Sequence, residues 1–115
     1  MNTNELLNAV LDDLSDLKAV NITPLDVRHI TSITDYMVIA SGTSSKHVRS
    51  IADNLIHKMK ERTIQPFGIE GDTEDEWVLV DLGDIVVHIM HPRTRDYYNL
   101  EKLWATSNQK LTAMA

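Results

Sequence analysis

Cysteine is absent from the 115 residues, which excludes disulfides, thiolate metal ligands and a cysteine nucleophile. No stretch approaches the roughly 18 uninterrupted apolar residues of a membrane span. The opening run MNTNELLNAVLDDLSDL lacks both a basic start and an unbroken apolar core, so it does not read as a secretory signal. A cytoplasmic protein is expected. Positive charge is in short supply too: 11 lysines and arginines stand against 17 aspartates and glutamates, for a net charge of −6. That balance repels nucleic-acid backbones at long range and favours basic partners, or it only keeps the protein soluble; both readings stay open. No repeat, low-complexity segment or linker divides the chain. Residues 1–115 are therefore expected to form one domain, with 43% hydrophobic residues supplying a single core.

What is there alternates between helical and strand patterns. Leu6, Leu7, Val10, Leu11, Leu14 and Leu17 recur at helical spacing, while Glu5, Asn8, Asp12, Asp13, Ser15 and Asp16 fill an acidic outer face. Val20 to Val27 reads as a strand, and Pro24 suits it to an edge or a bulge. Asp35 to Ala40 is nearly all apolar, as in a central strand covered on both faces. Ser41-Gly-Thr-Ser-Ser45 follows, with Thr43 or Ser44 placed to cap a helix whose buried stripe is Val48, Ile51, Ala52, Leu55, Ile56 and Met59. A weaker strand is expected near Phe67 to Glu70, then an acidic loop from Gly71 to Glu76. Trp77 to Leu82 and Ile85 to Met90, joined by Gly83-Asp84, predict an antiparallel hairpin. Pro92 ends the second of these strands, and Tyr97 to Ala105 carries the residues of a short terminal helix. The order αββαβββα predicts an α+β fold, a mixed sheet of about five strands flanked by helices.

Three catalytic constellations can be weighed. A strand entering a Gly/Ser turn and a helix N-terminus can bind phosphate, and the nucleotidyltransferase fold opens in a similar way. Its chemistry needs two carboxylates projecting to the same side of a strand to hold Mg²⁺. Asp81 and Asp84 are an odd number of residues apart, so strand parity sends them to opposite faces. No Walker-type lysine follows the glycine. His88 and His91 fall on opposite faces if their strand continues, and His29, His47 and His57 belong to other elements. No HExxH pattern exists, so no metal is expected, and His88 is expected to hydrogen-bond within the sheet. Ser41, Ser44 and Ser45 lack the GxSxG elbow of a serine nucleophile. A nucleotide-binding or nucleotidyltransferase-like enzyme using Gly42 to Ser45 survives as the alternative reading.

The remaining constellation is aromatic. Trp77 enters its strand from a loop holding Asp72, Glu74, Asp75 and Glu76; Tyr97, Tyr98 and Trp104 gather in the last segment. Trp104 shares helical spacing with Leu100 and Leu103 and is expected to pack in the core. For Trp77 and Tyr98, packing and exposure both remain open. Large rings at an acid-rimmed surface suit a binding hot spot, so Trp77 to Tyr98 reads as a surface for gripping another macromolecule.

Several segments together resemble the ribosomal silencing factor, or Iojap-like, family: SITDYMVIASGTSSKHVRSIAD from Ser32 to Asp53, Glu70-Gly71, WVLVDLGDIVVHI from Trp77 to Ile89, and YYNLEKLW from Tyr97 to Trp104. The resemblance covers most of the chain in order and with close spacing. It implies a bacterial translation factor, not an enzyme, with no cofactor and a fold distantly similar to nucleotidyltransferases. Members of the family bind the large ribosomal subunit through its ribosomal protein number fourteen. They block subunit joining and lower protein synthesis when nutrients are scarce. A homodimer when free, no sequence-specific nucleic-acid contact and no membrane are also implied. Carried onto this chain, the interface contacts fall on Trp77, Leu82 and Tyr98, with Glu70, Asp72, Asp75, Glu76, Asp81 and Asp84 suited to a basic ribosomal protein. Trp77 and Leu82 differ in strand parity. Leu82 therefore joins the patch only from the turn or through a strong twist.

Overall fold

The computed structural model describes residues 1–71 and 73–104. Asn2 opens the first helix, α1 (Thr3–Asp16), its side chain accepting from the Glu5 N–H and filling one orphan donor of the first turn. Leu6, Val10 and Leu14 bury one stripe of α1, as their spacing requires. Asp13 departs from the expected acidic outer face. It is 1% exposed, because α1 turns this side chain toward the second helix, where Arg62 meets it.

After β1 (Val20–Asp26) and β2 (Tyr36–Ser41), Ser44 caps α2 (Ser45–Glu61) by accepting from the His47 N–H. Gly42 lies in the preceding turn because the backbone of α2 passes close by. A Cβ there would stand 2.7 Å from the Val48 nitrogen. β3 (Gly68–Gly71), β4 (Trp77–Asp81) and β5 (Ile85–Met90) complete the strands. The order across the sheet is β1-β2-β5-β4-β3; β2 runs parallel to β5 and every other pair is antiparallel. β1, with Pro24 and an irregularity between Val20 and Thr23, is an edge strand; β2 is interior and almost wholly buried. The α+β fold with a five-stranded mixed sheet is as expected.

Gly83, at φ 87, is the first residue of the two-residue turn Gly83-Asp84, which links Leu82 to Ile85 where the Leu82 N–H donates to the Ile85 carbonyl. The register of that hairpin places Trp77 opposite Met90, Leu79 opposite His88 and Asp81 opposite Val86. One face of the sheet packs on α1 and α2 through Val38, Ala40, Val78, Val80, Val87 and Ile89. The other face buries Met37, Ile39 and Met90, with Trp77, Leu100 and Trp104 packed against them. Two differences concern the C-terminal segment. Helix α3 spans Pro92–Tyr98, beginning five residues before the expected Tyr97 because Pro92 serves as its first-turn residue as well as ending β5. Asn99, left-handed at φ 49, then stops it, and residues 100–104 are helical again. Ala105, the expected end, lies outside the described residues, as does Asp72.

Candidate functional site

The site is built on the second face of the sheet, where α3 leaves the β3–β4 end uncovered. Trp77 is the first residue of β4, so its side chain shares a face with Leu79 and with Glu70 of β3, which pairs with Leu79. Tyr98 ends α3 and lies 4.8 Å from the Trp77 ring, centroid to centroid, at 48°; Tyr97 meets Tyr98 edge-on at 5.0 Å and 78°. Such tilted contacts are the favourable geometry for aromatic pairs. Tyr98 is 54% exposed and Trp77 half-buried. Glu70, Gly71, Trp77, Leu79 and Tyr98 line an open pocket of about 450 Å³. On the other side of the two rings, Glu76, Arg93, Thr94 and Tyr97 line a second, smaller pocket.

Arg95 holds α3 in place. Its guanidinium, 8% exposed as a residue, donates to the hydroxyls of Ser41 (2.9 Å) and Thr23 (3.1 Å) and to Glu101 (2.6 Å). The short helix, which carries Tyr98 to Trp77, is thereby tied to the middle of β1 and the end of β2. Beneath Trp77, the indole N–H donates to His88 Nδ1 at 3.0 Å. His88 is 6% exposed, and burial pushes its imidazole down to about 4. The ring is neutral, with its lone pair on Nδ1 and its proton on Nε2.

That burial predicts an acid-sensitive fold. Unfolding returns His88 to its ordinary value of 6.5, so between pH 6.5 and about 4 the unfolded chain binds the extra proton. Stability is complete above this window and falls as the pH drops through it, by about 3 kcal/mol from this group. Urea titrations at pH 7, 6, 5 and 4.5 should show the decline, and His88→Asn should flatten it. An equal slope in both proteins would remove His88 as its cause. Asp26 does not confuse the measurement: the Arg28 guanidinium beside it lowers its carboxyl from 3.8 to about 2, so its contribution is lost only below 3.8, under the pH range of these titrations.

The structure brings together only part of the expected constellation. Leu82 is 5% exposed and belongs to the core cluster on the α1/α2 face, at the opposite end of β4 from Trp77. The turn does not deliver it to the aromatic surface, since parity and strand length act in the same direction. Nor do the carboxylates form one rim. Asp75 pairs with Arg49 at 2.6 Å and Glu76 with Arg93 at 3.0 Å. Asp81 accepts from the Gly83 N–H, and Asp84 accepts from the Thr3 hydroxyl. Glu70 alone stands at the pocket with no hydrogen bond or ion pair among the described residues. Leu79 and Tyr97 were missing from the expected set. The parity that Leu79 shares with Trp77 was the available signal for it; nothing local announced Arg95 as the tie.

The features of the enzyme alternative are used structurally. Thr43 N–H donates to His47 Nδ1 at 2.8 Å, His47 Nε2 meets the Leu17 carbonyl at 2.6 Å, and Ser44 caps α2. Asp81 and Asp84 serve separate neighbours, and no cluster of three or more potential metal ligands exists among the described residues. His91, just past β5, accepts from the Arg93 N–H at the start of α3.

Sheet, helices and aromatic surface define a small α+β domain that carries its exposed rings at one end of the sheet. The model of the family described as "ribosomal silencing factor during starvation" (RsfS) matches residues 1–114. The chain is 46% identical over 100 residues to the ribosomal silencing factor RsfS of Haemophilus influenzae, covering 87% of this chain and 98% of that protein. It is 45% identical over 74 residues to the mouse protein named mitochondrial assembly of ribosomal large subunit protein 1, covering 62% of this chain and 32% of the mouse protein. A crystal structure of a Chromobacterium violaceum protein superposes with a TM-score of 0.88 at 40% identity, covering 91% of this chain and 88% of that one. The chain belongs to the ribosomal silencing factor (RsfS) family, to which proteins named Iojap are also related.

Proposed function

We propose that this chain is a ribosomal silencing factor that works by occupancy, without turnover. It docks on the large ribosomal subunit through ribosomal protein number fourteen, blocks joining of the small subunit, and so lowers translation during nutrient limitation. The observation that carries this reading is the contact of half-buried Trp77 with exposed Tyr98, beside a pocket where Glu70 has no hydrogen bond or ion pair among the described residues. Large rings set in a partly dry pocket are the usual anatomy of a binding hot spot. The names of the relatives supply the ribosome, and that of the mouse protein the large subunit.

Trp77, Tyr98, Leu79 and Glu70 make the contact in this reading. Asp75, Glu76, Asp81 and Asp84 act through the field of a chain carrying −6, which speeds encounter with a basic protein more than it tightens the complex. Leu82 contributes by stabilising the sheet from behind. The factor is cytoplasmic and pairs with a second copy when free. Sucrose-gradient sedimentation tests the reading. The protein is expected to travel with isolated large subunits and not with joined ribosomes, and to reduce the joined peak when added to a mixture of both subunits. Migration with small subunits, or an undiminished joined peak at saturating protein, overturns it.

A further inference from the structure

We propose that His88 is a positioning residue of the docking surface: its Nδ1 accepts the Trp77 indole N–H and fixes the ring on which Tyr98 and Tyr97 build. The inference rests on the reading of Trp77 and Tyr98 as the docking surface and adds the device that sets their geometry.

The indole offers a single polar group, and that group defines its orientation. In a half-buried tryptophan without an inner acceptor, the N–H would turn to water, and the ring would follow it. Here the acceptor is on the next strand, at 3.0 Å, in a side chain with 6% exposure, so the hydrogen bond is sheltered from competing water. The hairpin register makes the arrangement rigid. His88 lies directly opposite Leu79, and Trp77 directly opposite Met90, so both rings project from one face of paired strands. Their centroids are 5.9 Å apart, inclined at 45°. Tyr98 then packs on the indole at 4.8 Å and Tyr97 on Tyr98 at 5.0 Å. His88, Trp77, Tyr98 and Tyr97 thus form one series from buried to exposed, with the directional bond to the sheet at its buried end. A surface held in its binding geometry before the partner arrives loses less side-chain freedom on association. Neutral histidine suits this role because it presents a lone pair at the depth of the indole N–H while its carbon atoms pack as an apolar side chain.

The test compares two substitutions in the full chain. His88→Leu keeps an apolar volume and removes the acceptor. His88→Asn places a carbonyl oxygen close to the former Nδ1. The measurements are affinity for purified large ribosomal subunits, thermal melting, and water exchange of the Trp77 indole proton by NMR. Leu is expected to weaken binding by about 10-fold, the scale of freeing one large side chain, with faster indole exchange and a melting point at least as high as that of the parent. Asn is expected to bind within about threefold of the parent, on the same scale. Parental affinity in His88→Leu despite a freed indole proton overturns the proposal, as does equal loss in Leu and Asn. Should His88→Leu not fold, the parent protein decides: a Trp77 indole proton that exchanges as fast as an open one overturns the hydrogen bond itself. Trp77→Ala separates this failure from failure of the docking reading. If its binding is unchanged, the docking surface is wrong; if it loses binding while His88→Leu does not, only the role of His88 falls.

Discussion

Trp77→Ala is expected to weaken binding to the large ribosomal subunit by about 2 kcal/mol or more, roughly a 30-fold loss of affinity. The substitution removes a ring that forms a wall of both neighbouring pockets and supports Tyr98 at 4.8 Å. It therefore deletes one contact and loosens a second. For the same reason Trp77→Ala and Tyr98→Ala should not add. Rings in contact are coupled, and the double variant should lose less than the sum. Co-sedimentation over a range of subunit concentrations measures all three. Leu82→Ala supplies the contrast, because Leu82 lies in the core on the other face and is 5% exposed. It should cost about 2–5 kcal/mol of folding stability while the folded fraction keeps its affinity. Unchanged binding by folded Trp77→Ala removes Trp77 from the interface. Selective loss of binding in a stable Leu82→Ala protein would reinstate Leu82.

The second large effect concerns folding. Arg62→Met should destabilise the chain by about 3–5 kcal/mol, the usual cost of leaving one member of a buried ion pair alone. The Asp13 side chain is 2% exposed, and Arg62 reaches it with two hydrogen bonds, at 2.6 and 2.9 Å. The carboxylate is the enclosed member, since the Arg62 side chain is itself 31% exposed, so Arg62→Met strands a buried negative charge. The double variant Asp13→Leu/Arg62→Met should recover most of the loss, since it removes the stranded charge and keeps apolar volume. Urea denaturation at pH 7 reads both. A loss below about 1 kcal/mol for Arg62→Met would mean that the pair behaves as a surface bridge. Among the other pairs, Lys58–Asp16 and Arg93–Glu76 have partners far more open to water and should each contribute less than this one.

Local arithmetic in the sequence was enough for most of the elements. Leucines at helical spacing made α1, and the two-residue Gly83-Asp84 connection set the β4–β5 register. The apolar run at Asp35 to Ala40 announced an interior strand, found one residue further on at Tyr36–Ser41, and Pro24 an edge. These features obey periods of 3.6 and 2, so the side chains involved are near neighbours along the chain and the pattern is visible without the fold. The family resemblance was likewise carried by contiguous segments. Parity within β4 already separated Trp77 from Leu82, because alternation requires no knowledge of what covers either face.

Tertiary structure alone decided which faces were covered and which charges found partners. Helical spacing puts Asp13, seven residues from Leu6 and three from Val10, on the buried side of α1 and Asp12 off it; what the spacing does not show is the partner, Arg62, 49 residues away. The acidic residues do not form one rim because Arg49, Arg93 and Thr3 arrive from three distant parts of the chain to meet Asp75, Glu76 and Asp84, while Asp81 turns to the N–H of Gly83 in its own hairpin. Tyr98 meets Trp77 from a helix that Arg95 ties to β1 and β2, strands more than 50 residues earlier in the chain. Such contacts depend on strand order and helix placement, which result from burying one shared core and not from any local rule. The sequence by itself therefore determined most of the elements and the hairpin, and singled out Trp77 and Tyr98 as the aromatics of the proposed site. Long-range packing determined that Trp77, Tyr98, Leu79 and Glu70 share an open surface while Leu82 lies on the other side of the sheet.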